Sequence, residues 1–248
     1  MNVLAVIPTY NEALNISTML KRIREVVPAV SILVVDDGSP DGTAELVEAD
    51  AQVLGQIHLL RREGKGGLGS AYRAGFAWGI ERGFDALVEI DADFSHDPTA
   101  LPSLLAAADA GADVVIGSRY VDGGKIPDWS WHRQLLSRGG NMYATAVLGL
   151  GVRDSTAGYR VYRAAILAKM DFATVKADGY GFQIEMTYRA RRSGAVITEV
   201  PISFVDRALG ESKMSSAIVV EALGLVTTWG FTRLLGRAWT PPAVASAS

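Results

Sequence analysis

The sequence predicts an α/β protein built on a mostly parallel sheet flanked by helices. Apolar runs of strand length, "VLAVIP", "ILVVDD", "IHLL", "ALVEID" and "DVVIGS", are separated by segments whose apolar residues recur at three-to-four spacing. The runs are apolar throughout rather than alternating, as in strands covered on both faces. Polar and acidic residues gather just beyond them: Thr9 to Glu12 after the first, Asp36 and Asp37 after the second, Asp91 and Asp93 after the fourth. Open α/β sheets bind ligands beyond those carboxyl ends.

Five strands separated by helical segments account for the chain to about residue 120, where the rhythm changes. "DGGKIPDWSWH" reads as a loop, and "RQLLSRGGNMYATAVLGL" as a helix that its glycine pair can bend. A helix from about Phe182 to Arg192 precedes the strand "AVITEVPISFV". The polar stretch "DRALGESKMSS" leads into a long helix from about Ser216 to Leu235. No internal repeat or interdomain linker occurs, so residues 1–238 are expected to form one domain and 239–248 a disordered tail.

A chain of 248 residues can bury a sizeable core in one domain. Its formal charge of -3, with Lys and Arg spread along the chain, argues against a nucleic-acid partner. Cysteine is absent, which excludes disulfides, thiolate metal sites and a Cys nucleophile. The start, "MNVLAVIPTYNE", has no basic region and reaches Pro8 early, so no signal peptide and a cytoplasmic location are expected.

The stretch "DADFSHDP", residues 91–98, concentrates acid after a buried strand. Isolated carboxylates there are costly. A turn that brings Asp91 and Asp93 together suits a hard cation, Mg²⁺ or Mn²⁺, which commonly binds one or two carboxylates plus substrate phosphates. The other reading is that the acids cap turns. It is preferred for Asp97, with Pro98 opening a helix. His96 is read as a surface or hydrogen-bonded residue rather than a ligand.

"VIPTYNE", "VVDDGSPDGT" and "DADFSH" together resemble the family 2 glycosyltransferases of GT-A fold. More narrowly, "GKGGLGSAYRAG", "GSRYVDGG", "SRGGNMYA", "DSTAGYRVYR", "GYGFQIEM" and "EVPISFVDRALGESKM" resemble the dolichol-phosphate and polyprenol-phosphate mannose synthases, in family order from about residue 3 to 216. The resemblance implies inverting transfer of mannose from GDP-mannose to a polyprenyl phosphate. It implies that Pro8, Tyr10, Glu12, Val35 and Asp37 hold the guanosine, and that Asp91, Ala92 and Asp93 hold the metal and diphosphate. Arg119, Arg207 and Lys213 would meet the phosphates, and Asp91, Asp93 and Arg119 would carry the catalysis. Ser95 departs from relatives that carry Gln there as an extra metal ligand, so its hydroxyl or water must serve.

Related enzymes using another donor, such as UDP-glucose, fit the same motifs. "GKGGLG" at residues 64–69 also fits the GxGxxG pattern of dinucleotide-binding oxidoreductases, although it does not open the first strand–helix unit. A non-catalytic nucleotide-sugar binder is the third class.

An acceptor phosphate is already largely deprotonated at neutral pH, so no side-chain base is expected. Asp154 is expected to order the "STAGYR" loop, and Glu185 to face the site or pair with a basic group. Residues 222–232, "ALGLVTTWGFT", are uncharged between Glu221 and Arg233 but too short to span roughly 30 Å of hydrocarbon. The last helix should therefore pack on the domain or lie at a membrane interface. In the second case Trp229, Phe231, Leu234, Leu235 and Trp239 face lipid and Arg233 and Arg237 the head groups. The resemblance implies peripheral attachment to the cytoplasmic face, on the membrane surface or through a membrane-embedded partner.

Overall fold

The computed structural model describes residues 1–206 and 216–235. Arg207, Lys213, Arg237, Trp239 and the tail 239–248 lie outside the described residues.

Strand–helix alternation runs as expected through the first half. It comprises β1 (Val3–Thr9), α1 (Ile16–Val26), β2 (Ser31–Asp36), α2 (Thr43–Leu54), β3 (Ile57–Arg61), α3 (Leu68–Glu81), β4 (Ala86–Glu89), α4 (Leu101–Asp109) and β5 (Val114–Ser118). The second half contains α5 (Trp131–Leu148), β6 (Arg160–Arg163), α6 (Ala164–Met170), α7 (Gly179–Arg192), β7 (Ile197–Pro201) and α8 (Ser216–Leu234). The predicted last two helices fall within three residues of their observed bounds. β6 and α6 were not anticipated.

The seven strands form one sheet in the order β3-β2-β1-β4-β6-β5-β7. Six are parallel to one another, and β6 runs antiparallel between β4 and β5. Side chains alternate across the sheet: Leu4 and Val6 enter the core under α3, α5, α6, α7 and α8, whereas Val3, Ala5 and Ile7 enter the core under α1, α2 and α4. Helix α3 lies unusually close to the sheet. A Cβ at Gly75 would collide with Val6, and one at Gly79 would come within 2.7 Å of Leu87 and 2.8 Å of Leu4.

The inserted strand brings charge into the interior. Arg160 opens β6 fully buried, in register with Glu89 of β4. Its guanidinium donates to the carbonyls of Ala157 (2.7 Å), Ser155 (2.8 Å) and Gln183 (3.0 Å), and to the hydroxyls of Thr187 (2.9 Å) and Tyr162 (3.1 Å). A buried cation persists when its donors are matched in this way.

The order reverses on either side of β1, which places a topological switch point between β1 and β4. The loops leaving both strands, "YNE" and "DADFSH", therefore open into one crevice.

Candidate active site

On the β1–β2 side, Pro8 pairs in register with Val35, and Thr9 with Asp36. Asp36 is an internal organiser: it accepts from the Thr9 hydroxyl (2.9 Å), the Ser39 hydroxyl (2.6 Å) and the Ser39 amide (2.9 Å). Thr43 and Asp41 receive the amides of Glu12 (3.0 Å) and Ala13 (3.1 Å), stitching the β1 loop to the β2 loop. Glu12 accepts from the Asn15 side chain at 2.9 Å. Asp37 is buried and accepts from the Gly66 amide at 2.9 Å, with Arg62 Nη1 3.1 Å away. The Val35 side chain is wholly enclosed in the core, so only its backbone is available to a ligand.

On the β4 side, the two aspartates leave the strand through a tight, strained turn. Phe94 has φ 61°, a rare conformation for a bulky residue and one that clusters at functional sites. Asp91 is partly exposed and accepts from the buried Tyr72 hydroxyl at 2.9 Å. Asp93 is buried and accepts from the Ser95 amide at 3.0 Å, while Ala92 sits in the core beneath. Asp97 caps the short turn Pro98–Ala100 through the Thr99 amide at 2.9 Å, as the capping reading expected. His96 proves to be a buried ring rather than a surface residue, packed against Tyr159 and Phe204 with Nδ1 3.7 Å from Asp91. Burial lowers its pKa to about 4, so the imidazole is neutral near pH 7.

The donor set fits a hard divalent cation that brings its own oxygens. Asp91 and Asp93 are oriented by Tyr72 and Ser95 on one turn. Among the described residues no cluster of three or more acidic, His or Cys side chains forms a self-sufficient cage. Two carboxylates completed by phosphate and water oxygens match magnesium-type sites.

Beyond the acids stands Arg119, at the end of β5. Its amide and Nε donate to Asp154 Oδ2 (2.9 and 2.7 Å), and its Nη2 donates to Asp154 Oδ1 (2.6 Å) and Thr156 Oγ1 (2.7 Å). The guanidinium also lies 5.2–5.5 Å from the ring centroids of Tyr120, Trp129 and Phe204. Burial opposes both charges, but each holds the other: Arg119 stays above its ordinary pKa and Asp154 below its own. Asp154 thus orders its loop, as expected. Glu185 is bound by Arg189 through Nε (3.0 Å) and Nη2 (2.7 Å), deep in the core, so it pairs with a basic group and does not face the site.

Phe204 bridges to His96, and the Val205 amide donates to Ser95 O at 3.3 Å. Asp206 accepts from Trp129 Nε1 and Arg133 Nη1, both at 2.9 Å. The chain therefore passes alongside the acidic turn immediately before position 207.

An open α/β sheet that sets two aspartates beyond its switch point, beside the polar loops leaving β1 and β2, is the arrangement of an α/β ligand-binding enzyme. The chain belongs to glycosyl transferase family 2, whose model matches residues 4–171. It is 52% identical over 230 residues to an undecaprenyl-phosphate mannosyltransferase of Micrococcus luteus, covering 93% of this chain and 94% of that protein. It is 50% identical over 238 residues to a polyprenol monophosphomannose synthase of Mycolicibacterium smegmatis, covering 95% and 89%. A mannosyltransferase from Pyrobaculum calidifontis, solved with GDP-mannose and Mn²⁺, shares the fold: TM-score 0.58, 18% identity, 97% of this chain and 66% of that one.

The GxGxxG run follows β3, the edge strand, and does not open the first strand–helix unit as the dinucleotide fingerprint does. The Glu89–Arg160–Gln183 network escaped the sequence reading. The run "RVYR" carries charge at both ends of a short segment, and only the chain's return between β4 and β5 buries it.

Glu89 is fully buried and accepts from Gln183 Nε2 at 2.9 Å. Burial outweighs Arg160 and Gln183 and pushes its carboxyl from 4.5 up to about 8. Across that window the folded protein keeps a proton that the unfolded chain has released, so this group erodes stability as pH rises and stops doing so above about 8. Glu89→Gln should flatten the decline: its urea midpoint, compared with that of the original protein, should gain steadily between pH 5 and pH 8. A constant difference across the range would show that Glu89 does not titrate there.

Proposed function

We propose that this enzyme transfers mannose from GDP-mannose to a polyprenyl phosphate with inversion, using Mg²⁺ or Mn²⁺ held by Asp91 and Asp93. The observation that carries the reading is the paired carboxylates at the switch point, with the Pro8–Glu12 and Val35–Asp37 segments on one side and the Arg119 node on the other. The names of the two relatives near half identity agree with it, as does the GDP-mannose and Mn²⁺ held by the mannosyltransferase of like fold.

In this reading the guanosine lies along Tyr10, with Glu12 and Asp37 as acceptors and the backbone at Pro8 and Val35 beneath. Asp91, Ala92 and Asp93 underlie the diphosphate. A bound cation would neutralise charge on the departing GDP. Tyr72 and Ser95 keep the two carboxylates aimed and so lower the reorganisation needed at transfer. Arg119, anchored and largely neutralised by Asp154, borders the acceptor side, and the reading assigns contact with the acceptor phosphate to Arg207 and Lys213, which lie outside the described residues.

The nucleophile is the acceptor's own phosphate oxygen. Asp154 and Glu185, the two carboxylates that could rival it as a base, are both consumed by arginines. The proton has already left an acceptor monoester whose second pKa is near 6.

No helix among the described residues is long and apolar enough to cross a membrane. Helix α8 is two-faced. Trp229 is 1% exposed and stacked on Tyr188, so it is not turned to lipid as the interfacial reading expected, while the exposed Arg233 donates to Val147 O at the end of α5. Phe231, Leu234 and Leu235 are exposed, and the neighbouring α5 exposes Trp131, Leu135, Leu136 and Met142. Arg133 and Arg138 flank the α5 residues. We assign this basic-fringed apolar face to the cytoplasmic surface of a membrane or to a partner embedded there.

Three outcomes test the reading. With a polyprenyl phosphate as acceptor, label should reach lipid from GDP-mannose and not from UDP-glucose. Asp93→Asn should lower kcat/KM by at least about 100-fold with the thermal midpoint unchanged, and near-normal turnover at saturating Mn²⁺ would overturn the metal assignment. The acidic limb of the kcat/KM profile should track the acceptor's ionisation and move with a phosphonate analogue of different pKa. Loss of that limb in Asp154→Asn or Glu185→Gln would instead reveal an enzymic base. For the membrane face, Trp131→Glu with Leu135→Glu should weaken binding to anionic liposomes by roughly tenfold or more; unchanged binding would remove α5 from the interface.

A further inference from the structure

The transfer reaction leaves the glycine-rich run at residues 64–69 without a task, yet the fold fixes it firmly. The Gly66 amide donates to Asp37 at 2.9 Å, and the Gly69 amide donates to Asp178 at 2.7 Å. Arg62 reaches both Asp37 (3.1 Å) and the Ser70 hydroxyl (2.8 Å). Gly67 has φ +86°, and a Cβ there would run into the Asp178 carboxylate, so glycine is required on both counts. Asp178 also caps α7 through the Gly179 amide. The loop is thus pinned between the β2 end and the α7 start.

Its one charged residue, the exposed Lys65, is carried across to β1, where Nζ lies 5.1 Å from the centroid of the Tyr10 ring. A cation over an aromatic face gains roughly 0.5–1 kcal/mol at an exposed site, a weak hold that leaves the ammonium free to swing. The loop therefore joins a carboxylate, an aromatic face and an ammonium in one place: Asp37, Tyr10 and Lys65.

Guanine asks for that combination. Its N1–H and 2-amino group are donors that a carboxylate accepts. Its O6 and N7 are acceptors that suit the donors of a lysine or arginine. Its face stacks on aromatic rings. Arg62 is occupied by Asp37 and Ser70, which leaves Lys65 as the loop's cation for the acceptor edge.

We propose that Lys65 reads the O6/N7 edge of the donor's guanine and is a specificity-determining residue of this enzyme. The proposal rests on the guanosine-nucleotide reading of the donor given above. The competing role for Lys65 is contact with the diphosphate.

Binding of GDP, 7-deaza-GDP and IDP, measured by calorimetry on the full chain with Mn²⁺, separates the two. UDP serves as the reference. 7-Deaza-GDP lacks N7, and IDP lacks the 2-amino group. The unmodified protein should bind 7-deaza-GDP several-fold more weakly than GDP. Lys65→Met should lose about tenfold for GDP and no longer distinguish it from 7-deaza-GDP. The penalty for IDP should be the same in both proteins, and Lys65→Arg should restore the discrimination. If Lys65→Met binds GDP normally, or weakens GDP and 7-deaza-GDP by the same factor, the base-reading role is overturned. If the unmodified protein shows no preference for GDP over UDP, the donor reading fails and takes this proposal with it.

Discussion

The site depends on the buried ion pair between Arg119 and Asp154. Taking two charges out of water costs several kcal/mol each, and the cost is recovered only with close geometry and further hydrogen bonds. Here the pair has both. Three donors of Arg119 converge on one carboxylate, Thr156 takes a fourth bond, and Glu199 of β7 accepts the amides of Arg153 (2.7 Å) and Asp154 (3.0 Å). Asn141 of α5 then binds Thr156 and Ser155, so β5, β7, α5 and the loop before β6 meet at one node. The rings around the guanidinium carry that order onward, since Phe204 packs on His96 and His96 backs Asp91.

Most of the first half was legible because its physics is local. Each parallel strand announces itself by an unbroken apolar run, and the acids that follow it must face the crevice wherever the sheet closes. Asp91 and Asp93 fall where the sequence put them for that reason. β6 was illegible because it is short, charged at both ends and buried by partners far away along the chain. Arg160 resembles a surface residue until Glu89, Gln183 and Thr187 are placed around it. Trp229 shows the reverse limit: an aromatic in an apolar helix suits lipid or core equally, and only the position of Tyr188 decides.

Helix α5 joins two tasks that the sequence does not obviously connect. Its inner side offers Ser137 to the Tyr120 hydroxyl (2.6 Å) and Asn141 to the Arg119 node, while its outer side carries exposed Trp131, Leu135 and Met142. A lipid phosphate acceptor has the same division, with a charged end for the site and a hydrocarbon end for the bilayer. One rigid element that borders both would let docking and acceptor placement be set together rather than in sequence.

The antiparallel insertion of β6 also orders events during synthesis. Strands β1 to β4 can assemble as soon as they leave the ribosome, because each pairs with a strand already made. β4 then presents an open edge, with Glu89 exposed on it, until residue 160 and its neighbours arrive to pair there. β5, made earlier than β6, waits for the same partner. Until β6 is made the half-built sheet has an unpaired edge, a feature that invites strand addition from other chains. While the edge is open, a charged Glu89 serves as a gatekeeper against such pairing. The same side chain that burdens the finished core therefore protects the unfinished one.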